Sequence, residues 1–165
     1  MSKCESLKPI VDKDSRVLIL GSMPGRKSLE LQQYYAHPQN RFWRMLSVLL
    51  REDEPLRYED KKNMLLRHHI ALWDTLSFCE RDGSLDSAIK NEQPNAVCEF
   101  LEMYPQITAV FCNGGKAAAA FKKYFAGKLS KNTAVFFLHS TSPANARMNL
   151  DALANEWQLI LNYLL

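Results

Sequence analysis

The sequence predicts an α/β protein in three layers, αβα, with helices on both faces of a central, mostly parallel sheet. Three observations carry that expectation. Short apolar runs rich in β-branched or aromatic residues, at 17–20, 108–112 and 134–138, have the length and composition of buried parallel strands. Each run stops at a loop of turn-forming residues: Gly21-Ser22-Met23-Pro24-Gly25, Asn113-Gly114-Gly115 and His139-Ser140-Thr141-Ser142-Pro143-Ala144-Asn145. Helical patterns separate the strands, so the sheet is covered on both faces and the loops converge on one rim.

In chain order, 1–15 is polar and charged and reads as an N-terminal extension to a single domain covering 1–165. The first strand is 17–20. Asn40 then stands before Phe42, Trp43, Met45, Leu46, Leu49 and Leu50, the spacing of a buried helix over about 42–51, for which Asn40 would be a natural N-cap. The stretch 51–67 is dense in charge and reads as a solvated loop and helix face. Ile70-Ala71-Leu72-Trp73 suits a second strand ending at Asp74, and 81–84 a turn whose Ser84 caps a short helix over 85–90. A helix over 94–104 turns Val97, Phe100, Leu101 and Tyr104 inward. An alanine-rich helix over 116–125 follows the third strand. The terminal helix carries Leu150, Leu153, Ala154, Trp157, Ile160, Leu161 and Leu164 at i, i+3, i+4, i+7 spacing, which makes Trp157 a core residue.

Composition narrows the function. At 165 residues, 47% hydrophobic and 24% charged, the chain is one ordinary globular domain with a core of its own. A net charge of +3 permits nucleic-acid binding through a local patch without arguing for it. No apolar run reaches membrane-spanning length and no signal-peptide core precedes residue 15, so a cytoplasmic protein without a membrane partner is expected. Cys4, Cys79, Cys98 and Cys112 are scattered singly, and His37, His68, His69 and His139 lack ligand spacing; no metal or cofactor site is legible. Neither a Walker-type lysine nor a G-x-G-x-x-G run marks an enzyme of free nucleotides.

Two stretches look chemical rather than connective. Gly21 to Gly25 ends the first strand where open α/β sheets place their ligand crevice, with bare N–H groups available to a bound group. Tyr34-Tyr35-Ala36-His37-Pro38-Gln39-Asn40-Arg41-Phe42-Trp43 packs aromatics, amides and bases into one segment. Together with HSTSPAN after the last strand, and in this order, they resemble the uracil-DNA glycosylase superfamily, closest to its deoxyinosine-acting branch, over roughly Arg16 to the end.

The resemblance implies a uracil-DNA glycosylase-like fold and an enzyme that flips a deaminated base, foremost hypoxanthine, out of double- or single-stranded DNA and hydrolyses its N-glycosidic bond. The alternatives are a uracil or mismatch-specific glycosylase, or a non-catalytic DNA-binding relative. It assigns Tyr35 as the stacking platform and gives Gly21, Pro24, Asn113 and Ser140 contacts to the base. The loop N–H groups of Ser22 and Met23 would meet negative charge on the departing base. Many relatives carry Asp or Asn where this chain has Met23, and in the deoxyinosine branch the catalytic amide moves to Asn40, whose carbonyl would orient water. The last motif departs too, because Ser140 stands where several relatives open the loop with a histidine, and His139 lies one place early. Ser142, Pro143, Ala144, Asn145 and Arg147 lie where the family meets the duplex, Ala144, Asn145, Ala146 and Arg147 being where its minor-groove wedge enters, with Arg147, Arg41, Arg26 and Lys27 as phosphate contacts. No lysine sits inside these motifs, which implies a monofunctional enzyme without strand cleavage. The resemblance also implies a monomer without cofactor, and the Cys spacing argues against the iron–sulfur cluster of some superfamily members. Asp74, Arg81 and Asp86 have no role that the sequence separates.

Overall fold

The computed structural model describes residues 2–165. Its strands are β1 (Lys3–Glu5), β2 (Val17–Gly21), β3 (Ile70–Asp74), β4 (Leu76–Glu80), β5 (Lys90–Pro94), β6 (Ala109–Asn113) and β7 (Ala134–Leu138). Four of them form a parallel sheet in the order β3-β2-β6-β7, with Val17 opposite both Ile70 and Ala109, and Ala109 opposite Ala134. The pleat sends alternate side chains to opposite faces. Val17, Ile19, Ile70, Leu72 and Phe111 join one core under α2 (Phe42–Leu50), α3 (Tyr58–Arg67) and α6 (Leu150–Trp157). Leu18, Leu20, Ala71, Val110 and Cys112 face the other, under α4 (Val97–Met103) and α5 (Gly115–Tyr124). This is the three-layer αβα arrangement, and it explains why β2 has no polar residue: Val17 to Leu20 are each 0% exposed. Burying each such side chain is worth roughly 1.5–3 kcal/mol.

Of the expected extension at 1–15, the described residues 2–15 are instead part of the fold. β1 pairs antiparallel with β4, Ile10 bridges to Leu72, and Leu7 and Ile10 enter the main core. The Tyr34 hydroxyl donates to the Lys8 carbonyl at 2.8 Å, tying the segment to the loop before α2. A second, antiparallel sheet, β1-β4-β5, thereby flanks the parallel one.

Other differences have local causes. Where a helix is expected over 85–90, a 3-10 turn at Asp86–Ala88 runs into β5. β5 is a largely exposed, polar edge strand, so hydrophobic patterning does not reveal it; Asn91, at φ +52, sits where its register with β4 shifts. The charged stretch 51–67 contains α3, which buries Met64 and Leu65. The terminal helix tightens to 3-10 geometry from Gln158 to Tyr163. A short α1 (Arg26–Leu31) follows the glycine loop.

Candidate active site

The carboxyl ends of β2, β3, β6 and β7 open on a crevice of about 770 Å³. It is lined by the glycine loop after β2, Tyr35, Asn40, Asp74, Asn113 and the loop after β7. Two glycines allow this convergence. A β-carbon on Gly21 would lie 2.6 Å from Asp74 Oδ1 and 3.0 Å from the Tyr35 hydroxyl; one on Gly114, whose φ is +97, would lie 2.8 Å from the Ser140 β-carbon.

A chain of side-chain hydrogen bonds crosses the floor. Asn113 Nδ2 donates to the Tyr35 hydroxyl and to Thr141 Oγ1, both at 3.1 Å, while its Oδ1 accepts from the Thr141 N–H at 3.0 Å. Thr141 Oγ1 then donates to Asn40 Oδ1 at 3.0 Å, and the same oxygen accepts from the Phe42 N–H at 3.0 Å. Asn40 therefore does bond a helix-start N–H, and it also faces the crevice. Its orientation is fixed, because only the carbonyl can accept from that N–H. Tyr35 sits at φ +54, a strained region for a tyrosine, with its ring stacked on Phe42 at 4.0 Å between centroids. Burial and the nearby Asp74 hold its phenol proton firmly in place.

Two expectations change in detail. Both N–H bonds of Asn113 are spent inside the protein, leaving it one acceptor site rather than a donor–acceptor pair for a base. Asn40 Oδ1 already accepts twice, so the carbonyl expected to orient water is occupied by protein donors. Thr141, 0% exposed, is the hub that sequence reasoning passed over between Ser140 and Ser142.

One wall is the glycine loop. Ser22 and Met23 line the crevice, and among the described residues their N–H groups bond to no other backbone group. The Met23 side chain packs among Leu76, Cys79 and Ala120. Ser22 Oγ donates to Asp86 at 2.7 Å, and the Arg26 N–H donates to Ser84 Oγ at 2.9 Å, so 84–86 is pinned against this loop at two points. Between those anchors, Leu85 is 60% exposed at the crevice mouth. Arg81, wholly buried, donates to the Pro24 carbonyl and leaves Nε and Nη1 without partners. Asp74 is pushed up to about 8 by burial, with Asp86 adding to the effect and Arg81 opposing it.

The opposite wall is 141–148, held by Arg41. The Arg41 guanidinium donates to the carbonyls of Met148, Ser142 at 2.9 Å and Asn145 at 3.0 Å, and its Nε reaches the Thr141 carbonyl at 3.4 Å. These bonds correct its expected phosphate role: the side chain braces a loop. Ser140 and Ser142 accept from N–H groups two residues on, and Asn145 Nδ2 donates to the Ser140 carbonyl. Pro143 and Ala144 are exposed at the rim, while Arg147 is exposed outside the lining. Glu156 holds His139 through its N–H and Nδ1, both at 2.6 Å. Arg26 and Lys27 are exposed along the rim.

Among the described residues no three His, Cys, Asp or Glu side chains gather in a metal-binding group, and no helix is long and apolar enough to cross a membrane. The arrangement instead offers an aromatic ring, free loop N–H groups, an amide and a protonatable carboxyl inside one crevice.

Comparison with known proteins agrees. A family model described as the uracil DNA glycosylase superfamily matches residues 9–164. A Methanosarcina acetivorans protein named hypoxanthine DNA glycosylase is 33% identical over 155 residues, 93% of this chain and 95% of that one. A Methanosarcina barkeri protein of the same name is 37% identical over 116 residues, 70% of this chain and 73% of that one. The fold also superposes, with a TM-score of 0.85 and 31% identity over 99% of both chains, on a solution NMR structure from Methanosarcina acetivorans provisionally assigned as a uracil DNA glycosylase. A family match that runs over residues 9–164 places the chain in the uracil DNA glycosylase superfamily.

Proposed function

We propose that this protein is a monofunctional DNA glycosylase that takes hypoxanthine out of DNA and hydrolyses its bond to deoxyribose, leaving an abasic site. The observation that carries the reading is the hydrogen-bonded floor from Tyr35 through Asn113 and Thr141 to Asn40, open to one crevice. The names of the similar Methanosarcina proteins support the choice of base. In this reading the protein is a single-domain monomer working on DNA in the cytoplasm.

The flipped base lies against the free face of the Tyr35 ring, whose other face is taken by Phe42. The Ser22 and Met23 N–H groups meet the charge that develops on the base. Asn40 presents its amide N–H to the attacking water; with its carbonyl engaged it holds the water without taking a proton, so the reaction leans on the leaving base. Gly21, Pro24 and Ser140 shape the crevice around the base, and Ser142, Pro143, Ala144, Asn145 and Arg147 meet the strand, with Arg26 and Lys27 near phosphates. The side chains of 144–146 are too small to fill the gap left in the stack. Leu85, anchored on both sides and exposed at the mouth, supplies the apolar wedge. Lys27, the lysine in the lining, is exposed at the rim rather than set in the crevice, which fits hydrolysis without a Schiff base.

The test is single-turnover release from duplexes carrying one inosine, uracil or xanthine, with alkali to reveal abasic sites. Inosine is expected to be released fastest, and Asn40→Ala to slow that step by about 10²–10³-fold. Uracil release that survives Asn40→Ala would overturn the assignment.

A further inference from the structure

The N–H groups of the glycine loop after β2 are aimed by bonds made on the loop's far side. In a trans peptide the C=O and the N–H of one unit point opposite ways, and no described peptide is cis. The Gly21 carbonyl accepts from the Thr75 N–H at 2.7 Å and from Thr75 Oγ1 at 3.0 Å, which turns the Ser22 N–H the other way. The Ser22 carbonyl accepts from the Leu76 N–H at 3.2 Å, and the Met23 N–H is turned likewise. Pro24 brings no N–H of its own. Its carbonyl accepts from the Arg81 guanidinium, so the Gly25 N–H, in the same peptide unit, points away from Arg81. Gly25 lines the crevice, and its N–H meets no protein acceptor among the described residues. Thus backbone and hydroxyl donors at the start of β4 aim two of these peptides, and a side chain at its end aims the third. Arg81 is 1% exposed, its own N–H is fixed to the Ser2 carbonyl at 2.8 Å, and its Nε and Nη1 find no partner. Burying a cation with so few partners is unfavourable, and an apolar chain would fill the same space at less cost. The one side-chain bond that Arg81 makes is therefore the clue to its role.

We infer that Arg81 is a positioning residue for base release: through the Pro24 carbonyl it fixes the Pro24–Gly25 peptide, so that the Gly25 N–H joins those of Ser22 and Met23 in meeting the negative charge that builds on the departing base. The inference rests on the glycosylase reading above and adds to it a third loop donor and the residue that aims it. With its carbonyl released this peptide could rotate, because Gly25 has no β-carbon to resist the turn. A guanidinium on the carbonyl also polarises the peptide, which makes the N–H at its other end a stronger donor. As the bond from the sugar C1′ to the base N9 breaks, its electron pair leaves with the base, and the loop N–H groups hold that charge. Water adds its oxygen to C1′, and the proton it loses reaches the departed base through solvent. Arg81 lies outside the crevice lining and gives up no proton.

The experiment pairs the single-turnover rate on a saturating inosine duplex with the affinity for that duplex, in the wild type, Arg81→Met and Arg81→Lys. Arg81→Met should be slower by about 10²-fold while its affinity stays within about threefold of wild type. Arg81→Lys keeps a charged donor and should recover to within about tenfold of the wild-type rate. Amide NMR with an inosine duplex whose 2′-fluoro sugar resists cleavage reads the aim directly. In the wild type the Gly25 amide should shift on binding together with those of Ser22 and Met23. In Arg81→Met the Gly25 response should be lost while that of Ser22, whose peptide Thr75 holds, is kept. A folded Arg81→Met that works at wild-type speed overturns the inference, as does a wild-type Gly25 amide that ignores the duplex. A loss of affinity as large as the loss of rate, or Ser22 and Gly25 responses that vanish together, would make Arg81 a support for the whole wall and overturn it too. Should Arg81→Met lack a cooperative urea transition, Arg81→Lys decides: its rate must follow its Gly25 response, and wild-type speed beside a lost response overturns the inference. A wild type that binds the duplex and releases no base would instead sink the glycosylase reading.

Discussion

Arg41 and Arg81 brace opposite walls of the crevice. Arg41, partly exposed, spends its guanidinium on the carbonyls of Thr141, Ser142, Asn145 and Met148. Arg81, wholly buried, makes one side-chain bond, to Pro24, and leaves Nε and Nη1 without partners a short way from an Asp74 oxygen in the same condition. One wall is thus saturated, as expected of a surface that must keep its shape against DNA. The other holds buried polar groups in reserve, a pattern that natural cores avoid except at sites of function. The difference separates scaffold from chemistry within a single crevice.

The comparison is sharpened most by removing each arginine in turn. Arg41→Met should lower unfolding free energy by about 3 kcal/mol, because carbonyls along 141–148 lose a charged donor, and hydrogen exchange should rise selectively in that loop. Arg81→Met should cost about 1 kcal/mol or less by urea unfolding, since an incompletely satisfied buried cation gives way to an apolar chain of similar length. Equal losses would break the comparison. A smaller effect is expected at the hub between the walls. Thr141→Val keeps the shape and removes the hydroxyl joining Asn113 to Asn40, which should slow inosine release by about tenfold and lower stability by about 1–2 kcal/mol. The smallest concerns the mouth: Leu85→Ala should leave stability within about 0.5 kcal/mol and slow release severalfold from duplex but not from single-stranded DNA. Equal slowing on both substrates would remove the wedge role.

How much of this is legible in the sequence depends on the range of the contact. β2, β6 and β7 are, since a strand buried on both faces must be a continuous apolar run and its loop announces itself with Gly or Asn. β1 and β5 are not: Lys3–Glu5 and Lys90–Pro94 are largely exposed, and partly polar edge strands resemble loops; β4, between them, alternates Leu76 and Phe78 with Ser77 and Cys79 over only five residues. Within the crevice, Tyr35, Asn40 and Asn113 can be named from their motifs. Their partners cannot, because Arg41 and Asn40 reach across about a hundred residues to 141–148, and no local pattern encodes such pairings. Asp74 and Arg81 stand out in the sequence only as charges next to apolar runs. Their burial is what gives them meaning.

The antiparallel pairing of β1 with β4 also sets an order of assembly. Cys4 lies opposite Cys79, and the Ser2 carbonyl accepts from the Arg81 N–H, so β1 is synthesised long before the strand it joins. β4 follows β3 directly, so the wall that carries Arg81 and leads to Leu85 can be fastened to β1 before β6 and β7 have been made, whereas the floor waits for Thr141 and its bond to Asn40, a long-range closure of the slow kind. A nascent molecule would therefore own one wall of the crevice before it owned the floor, and competence to handle damaged DNA would be the last property the chain acquires.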